Sequence, residues 1–142
     1  NSNMNSFKII FGKDYVKVKL SLLWLFVMLN YIYADILSLM DASVLNELIA
    51  GAAGELQITS TFLFFGAILM EIPIAMIIFS LILERKVSRP INIIAGSIKT
   101  LAVLGTMFVG VPALYYSFFG VIEIATTISI IYIAWNWSEE KN

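Results

Sequence analysis

The groups able to hold a proton, an ion or a polar ligand are few, and they sit inside long apolar stretches: Asn30, Tyr31, Asp35, Glu71, Lys99 and Glu123. Glu71 stands near the centre of 58–83, a run of 26 almost uninterrupted apolar residues, with Pro73 two positions on. A carboxylate at the middle of a bilayer costs ~2.5 kcal/mol or more, so such a group is expected to face protein or water rather than lipid. Pro73 removes an amide and frees the carbonyl of Leu69 beside it. Buried carboxylates with a lysine can bind a proton, a cation or the polar head of a small amphiphile. They can equally pair with one another to fix the packing of helices. The chain has no His and no Cys. That excludes disulfides, thiolate nucleophiles and the usual zinc and haem ligands, and no metal or cofactor is expected. Proton chemistry would have to run through Asp, Glu, Lys or Tyr.

The elements that must position these groups are membrane helices. Of 142 residues 60% are hydrophobic and only 13% charged, where globular domains carry roughly 25%. The net charge of −1 gives no electrostatic case for nucleic acid. Apolar stretches at about 20–39, 58–83, 91–109 and 113–137 predict an all-α fold, a four-helix transmembrane bundle in one domain at 20–137. A polar, basic segment at 1–19 precedes it and a short tail at 138–142 follows. Part of the first segment, 6–18, is either a surface helix or a tail. Between the first two spans, Ser43 is expected to cap a short surface helix over 44–50 that Gly51 ends. The stretch 84–90 reads as a tight basic turn with Pro90 opening the third span, and Gly110-Val111-Pro112 as a short uncharged turn.

All nine cationic residues fall at the amino-terminal segment, at the second loop with its adjoining helix, or in the tail. The first and third loops have none, so the positive-inside rule places both termini in the cytoplasm. By helix rise, Asn30, Glu71 and Glu123 are expected to share one layer, with Asp35 and Lys99 to either side. Small and polar residues at three- and four-residue spacing mark a stripe on each helix. The stripes are Tyr31-Asp35-Ser38, Ser60-Ala67-Glu71-Ala75, Asn92-Gly96-Lys99-Thr106 and Tyr116-Gly120-Glu123-Thr127-Ala134. Trp24 is expected to face lipid or core rather than a ligand.

The run Lys17-Val18-Lys19-Leu20-Ser21, followed by Leu23-Trp24, Val27-Met28, Tyr31-Ile32-Tyr33 and Asp35, carries a resemblance. So do Ile72-Pro73, the run RPINIIAG beginning at Arg89, and the helix with Glu123 and Ala134-Trp135. The chain resembles a group of small, uncharacterised bacterial four-span proteins of unknown function, loosely grouped with DoxX-like proteins. The resemblance implies a four-helix protein of the bacterial inner membrane and supplies no activity.

Three functions compete. In the first, Glu71 and Glu123, with Asn30, Tyr31, Asp35 and Lys99, form a binding or transport site for a proton, cation or small amphiphile. In the second, exposed small residues such as Gly105 with Val109 pack an accessory subunit on another membrane protein. A membrane enzyme acting on a lipid-like substrate ranks last, for want of a histidine. Beyond the lipid bilayer, the expected partners are a second copy or another membrane protein, with no nucleic acid.

Overall fold

A computed structural model of the chain describes residues 12–108 and 113–138. The first part of the 6–18 segment (6–11), Val109 and the Gly110-Val111-Pro112 turn lie outside the described residues, as does most of the tail. Four long helices, α1 (Tyr15–Met40), α3 (Ser60–Ile82), α4 (Arg85–Phe108) and α5 (Leu114–Trp135), are long and apolar enough to cross a bilayer. A short helix, α2 (Ala42–Ile49), and a two-stranded hairpin, β1 (Ala52–Ala53) with β2 (Leu56–Gln57), link α1 to α3. The expected transmembrane bundle is what the chain forms.

The helices stand in a ring. α1 packs on α3 and on α5, α5 packs on α4, and α4 touches α3 only lightly. The tightest seam is α4 against α5, where Gly96 lets the backbones close. A Cβ there would meet Ile131 Cγ1 at 2.8 Å and the Thr127 carbonyl at 3.4 Å. The loosest is α3 against α4, which leaves an apolar groove of about 450 Å³ lined by Ile72, Met76, Phe79, Ala95 and Ile98 among others. Leu20, Trp24, Val27 and Ile130 fill the centre with no exposure at all. Large apolar side chains such as Phe26, Ile32, Phe64, Leu101 and Tyr132 point outward, as lipid-facing residues do.

Two local readings need correcting. The turn between α3 and α4 is only Leu83-Glu84, because the basic stretch from Arg85 is already helical. Glu84 caps it, its carbonyl accepting from the Val87 and Ser88 amides at 3.0 and 2.8 Å. Pro90 therefore lies inside α4 rather than opening it. The cap of α2 is Asp41, not Ser43: its carboxylate accepts from the Ser43 amide at 3.0 Å and the Ser43 hydroxyl at 2.6 Å. These bonds, the hydroxyl's first, hold the Asp41 carboxyl below the usual carboxylate range. Tyr115 at the start of α5 also donates to Asp41, at 3.4 Å. Gly51 and Gly54, with φ of +77° and +59°, turn the chain at either end of β1. Glu47 on α2 accepts from the Gly54 amide at 3.1 Å, which braces the hairpin.

Candidate functional site

Polar groups fill the interior in two layers, and the layers differ in kind. The first lies toward the end of the bundle that holds Arg85 and Arg89, the basic end. There Asn92 on α4 accepts at Oδ1 from Trp24 Nε1 on α1 at 2.7 Å and from Ser80 Oγ on α3 at 3.2 Å. Its Nδ2 donates to the Ser88 carbonyl at 2.8 Å and to Ser88 Oγ at 3.2 Å. Ser21 Oγ donates to the Ile77 carbonyl at 2.7 Å. One amide thus ties α1, α3 and α4 together, with donors and acceptors matched. Trp24 is core-facing, and its indole N–H is the reason it sits beside Asn92. Beyond this layer Arg89 donates from Nε to the Ala134 carbonyl at 3.1 Å and from Nη2 to the Trp135 carbonyl at 3.0 Å. Arg85 donates from Nε and Nη2 to the Trp137 carbonyl at 3.1 and 2.9 Å. Two guanidinium groups therefore satisfy the orphan carbonyls at the end of α5, where a positive charge suits the helix dipole.

The second layer lies deeper and toward the loop end, where α2 and the hairpin sit. Lys99 on α4 is 2% exposed, and its ammonium reaches across the ring to α1 and α3. Its Nζ lies 4.1 Å from the centre of the Tyr31 ring and 3.7 Å from Met70 Sδ. The first is a cation–π contact and the second a weak acceptor. Glu123 on α5 is 6% exposed and close enough to Lys99 to act on it through space, as is Asp35. Yet among the described residues no cation comes within 4.0 Å of either carboxylate, and no donor hydrogen-bonds Glu123. Tyr31 is 5% exposed, and its Oη is the one fully buried side-chain polar atom among the described residues with no partner in the chain. Tyr116 faces the same set from the α5 side, within electrostatic range of Asp35 and Glu123. Between the two layers Thr100 and Thr127 hydrogen-bond at 2.7 Å and Val27 and Ile130 pack tightly.

The remaining expected site residues fall elsewhere. Asp35 is exposed on the loop-end side of Lys99, at the mouth of the layer. Asn30 is half-buried and donates to the Phe26 carbonyl of its own helix at 2.8 Å, so it takes no part. Glu71 does not join Glu123. It is exposed on the outside of α3, whose buried face is Pro73, Met76 and Ser80. Nine residues separate Glu71 from Ser80, which at 3.6 residues per turn is about half a turn out of phase, so the carboxylate points away from the bundle. The expected pair of interior carboxylates is replaced by Glu123 with Lys99, and Met70, one position before Glu71, is the α3 residue that reaches the layer.

Tyr116 and Met70 join the layer although residue type and spacing do not mark them as site residues; the stripe that holds Glu123 also holds Tyr116. Chemically, the layer offers an ammonium with unused donors, a carboxylate with no donor and a phenol with neither. A group that accepts from Lys99 and Tyr31 and donates to Glu123 would match all three. Among the described residues no cluster of three or more carboxylates has the spacing of a metal site. No curated protein and no solved structure matches the chain. From residue 7 to residue 142 the sequence matches a family of unknown function (DUF6326), and to that family the chain belongs.

Proposed function

We propose that the chain is a small membrane binding module, and that its site is the Tyr31–Lys99–Glu123 layer, reached from the loop end past Asp35 and Tyr116. The single observation that carries this is Tyr31 Oη, buried without a partner beside a buried lysine that meets no carboxylate. Desolvating a polar group without a hydrogen bond costs ~1–3 kcal/mol, and an unpartnered phenol beside an ammonium held only by a ring and a sulfur makes a poor packing device. Lys99 disfavours a bare cation, so the best match is a polar or zwitterionic head of a small amphiphile. With the basic end in the cytoplasm, by the positive-inside rule, the site opens to the opposite side. That orientation is part of the proposal, as is placement in a bacterial inner membrane.

The accessory-subunit reading draws support from a different place, the satisfied Asn92 network and the arginine caps, which need no ligand. Native mass spectrometry of the chain released from membranes separates the two. A binding module retains a bound species of defined mass, and Tyr31→Phe with Lys99→Met loses it. Identical spectra for the native chain and the double variant, with nothing bound to either, would leave only the packing role.

A further inference from the structure

Glu71 is the residue for which the single chain has no use. It lies eleven residues from Ser60 and eleven from Ile82, at the middle of α3. It faces outward among Phe64, Ala67, Ile74 and Ile78, all exposed. A charged group at that depth normally faces protein or water and marks a function. α3 is also the least embedded of the spans: 11% of its most apolar window is buried, against 28–33% for the other three. Its first nine residues, Ser60–Ile68, are exposed without exception, and a Cβ on Gly66 would meet nothing within 4 Å.

We propose that the chain pairs with a second copy of itself through this outward face of α3, with the two Glu71 side chains meeting across a two-fold axis. Symmetry is what selects the partner. In a two-fold interface a residue near the axis meets its own copy at the same depth, so two Glu71 carboxyl groups that share a proton give each other the hydrogen-bond partner that the hydrocarbon denies them. A foreign helix would need a polar group of its own at the matching level. Among the described residues the one cation at comparable depth, Lys99, is turned inward onto Tyr31. Ala67, one turn from Glu71 on the same face, lets the paired backbones approach closely enough for the carboxyl groups to touch. The pairing does not depend on the headgroup reading and stands or falls separately from it.

The native chain has no cysteine, so single cysteines report contacts without background. Ala67→Cys, Ile74→Cys and Ile78→Cys sample the proposed face, while Leu101→Cys and Tyr132→Cys sample exposed positions on α4 and α5. Oxidation of the full chain in native membranes is expected to give a disulfide-linked species of twice the chain mass for the α3 positions and none for the controls. With Ala67→Cys as reporter, Glu71→Leu should abolish that species. Glu71→Gln, whose amides can hydrogen-bond across the axis, should keep it. A cross-link no stronger than in the controls, a cross-link only to a different protein, or full pairing in Glu71→Leu would each overturn the proposal. The cysteine scan in the Glu71 background needs no change at Glu71 itself.

Discussion

The two polar layers of this bundle treat their buried groups in opposite ways. Around Asn92 donors meet acceptors at 2.7–3.2 Å, and three helices are fixed by one amide. Around Lys99 the ammonium rests on a ring and a sulfur, the carboxylate of Glu123 accepts from nothing described, and Tyr31 Oη has no partner. In a bilayer, where water cannot compensate inside a packed seam, a matched network stabilises one arrangement. An unmatched one lowers stability and persists where something other than stability requires it. The contrast is what the proposed binding site rests on: a matched packing network at the basic end and an unmatched layer above it.

The largest effect is expected from removing the centre of the matched layer. Asn92→Leu leaves the Trp24 indole N–H without its acceptor and takes one from the Ser80 hydroxyl. At ~1–3 kcal/mol for each unsatisfied buried group, a loss of about 3 kcal/mol is expected in unfolding by heat or denaturant in detergent. A loss below about 0.5 kcal/mol would remove Asn92 from the centre of the fold. Next comes Gly96→Val, which drives a side chain into Ile131 and the Thr127 carbonyl where α4 meets α5. Overpacking of this kind costs typically ~1–3 kcal/mol, and the same substitution at Gly105, which has nothing within 4 Å, should cost much less. The pair of variants sets a tight seam against an open face on one helix.

Smaller again is Arg89→Ala, which frees the Ala134 and Trp135 carbonyls. Arg89 is only half-buried, so screening reduces the effect to about 1 kcal/mol or less. The sharper readout is faster hydrogen exchange confined to the last turn of α5. The smallest belongs to Asp41, outside the spans. Its carboxyl is held low by Ser43 in the folded chain. Its contribution is therefore present above the unfolded value of about 4 and lost as pH falls through the lower folded value. Exchange protection of α2 is expected to be flat from neutral pH down to that region and to fall below it, with the four spans unaffected. Asp41→Ala should show the low-pH protection of α2 at neutral pH.

How far the sequence carries depends on the kind of signal. Span number came from hydropathy, which is a sum over many residues and survives local error. Lys99 and Glu123 were found because α4 and α5 mix polar and apolar residues, so the inward stripe can be seen. On α3 the same spacing rule failed. That helix is apolar on every side, so Ala67-Glu71-Ala75 looks like an inward stripe when the buried face is Pro73-Met76-Ser80. The Trp24–Asn92 bond joins residues 68 apart on helices that barely touch, and no local pattern encodes it. Asn92 with Ser88 one turn earlier was the available hint. The arginine caps were hidden because a run of basic residues reads first as a topology signal, and only the folded ends of α4 and α5 bring it to the carbonyls.

The difference between the layers rests most directly on Lys99. Replacing a buried charge that no carboxylate contacts by an apolar side chain of similar shape removes its desolvation cost and is expected to be neutral or stabilising. The measurement is the unfolding free energy of Lys99→Met beside that of Asn92→Leu in the same detergent. A Lys99→Met chain at least as stable as the native one, with Asn92→Leu clearly weakened, is the expected result. A Lys99→Met chain weakened as much as Asn92→Leu would make the lysine a packing residue and contradict the site.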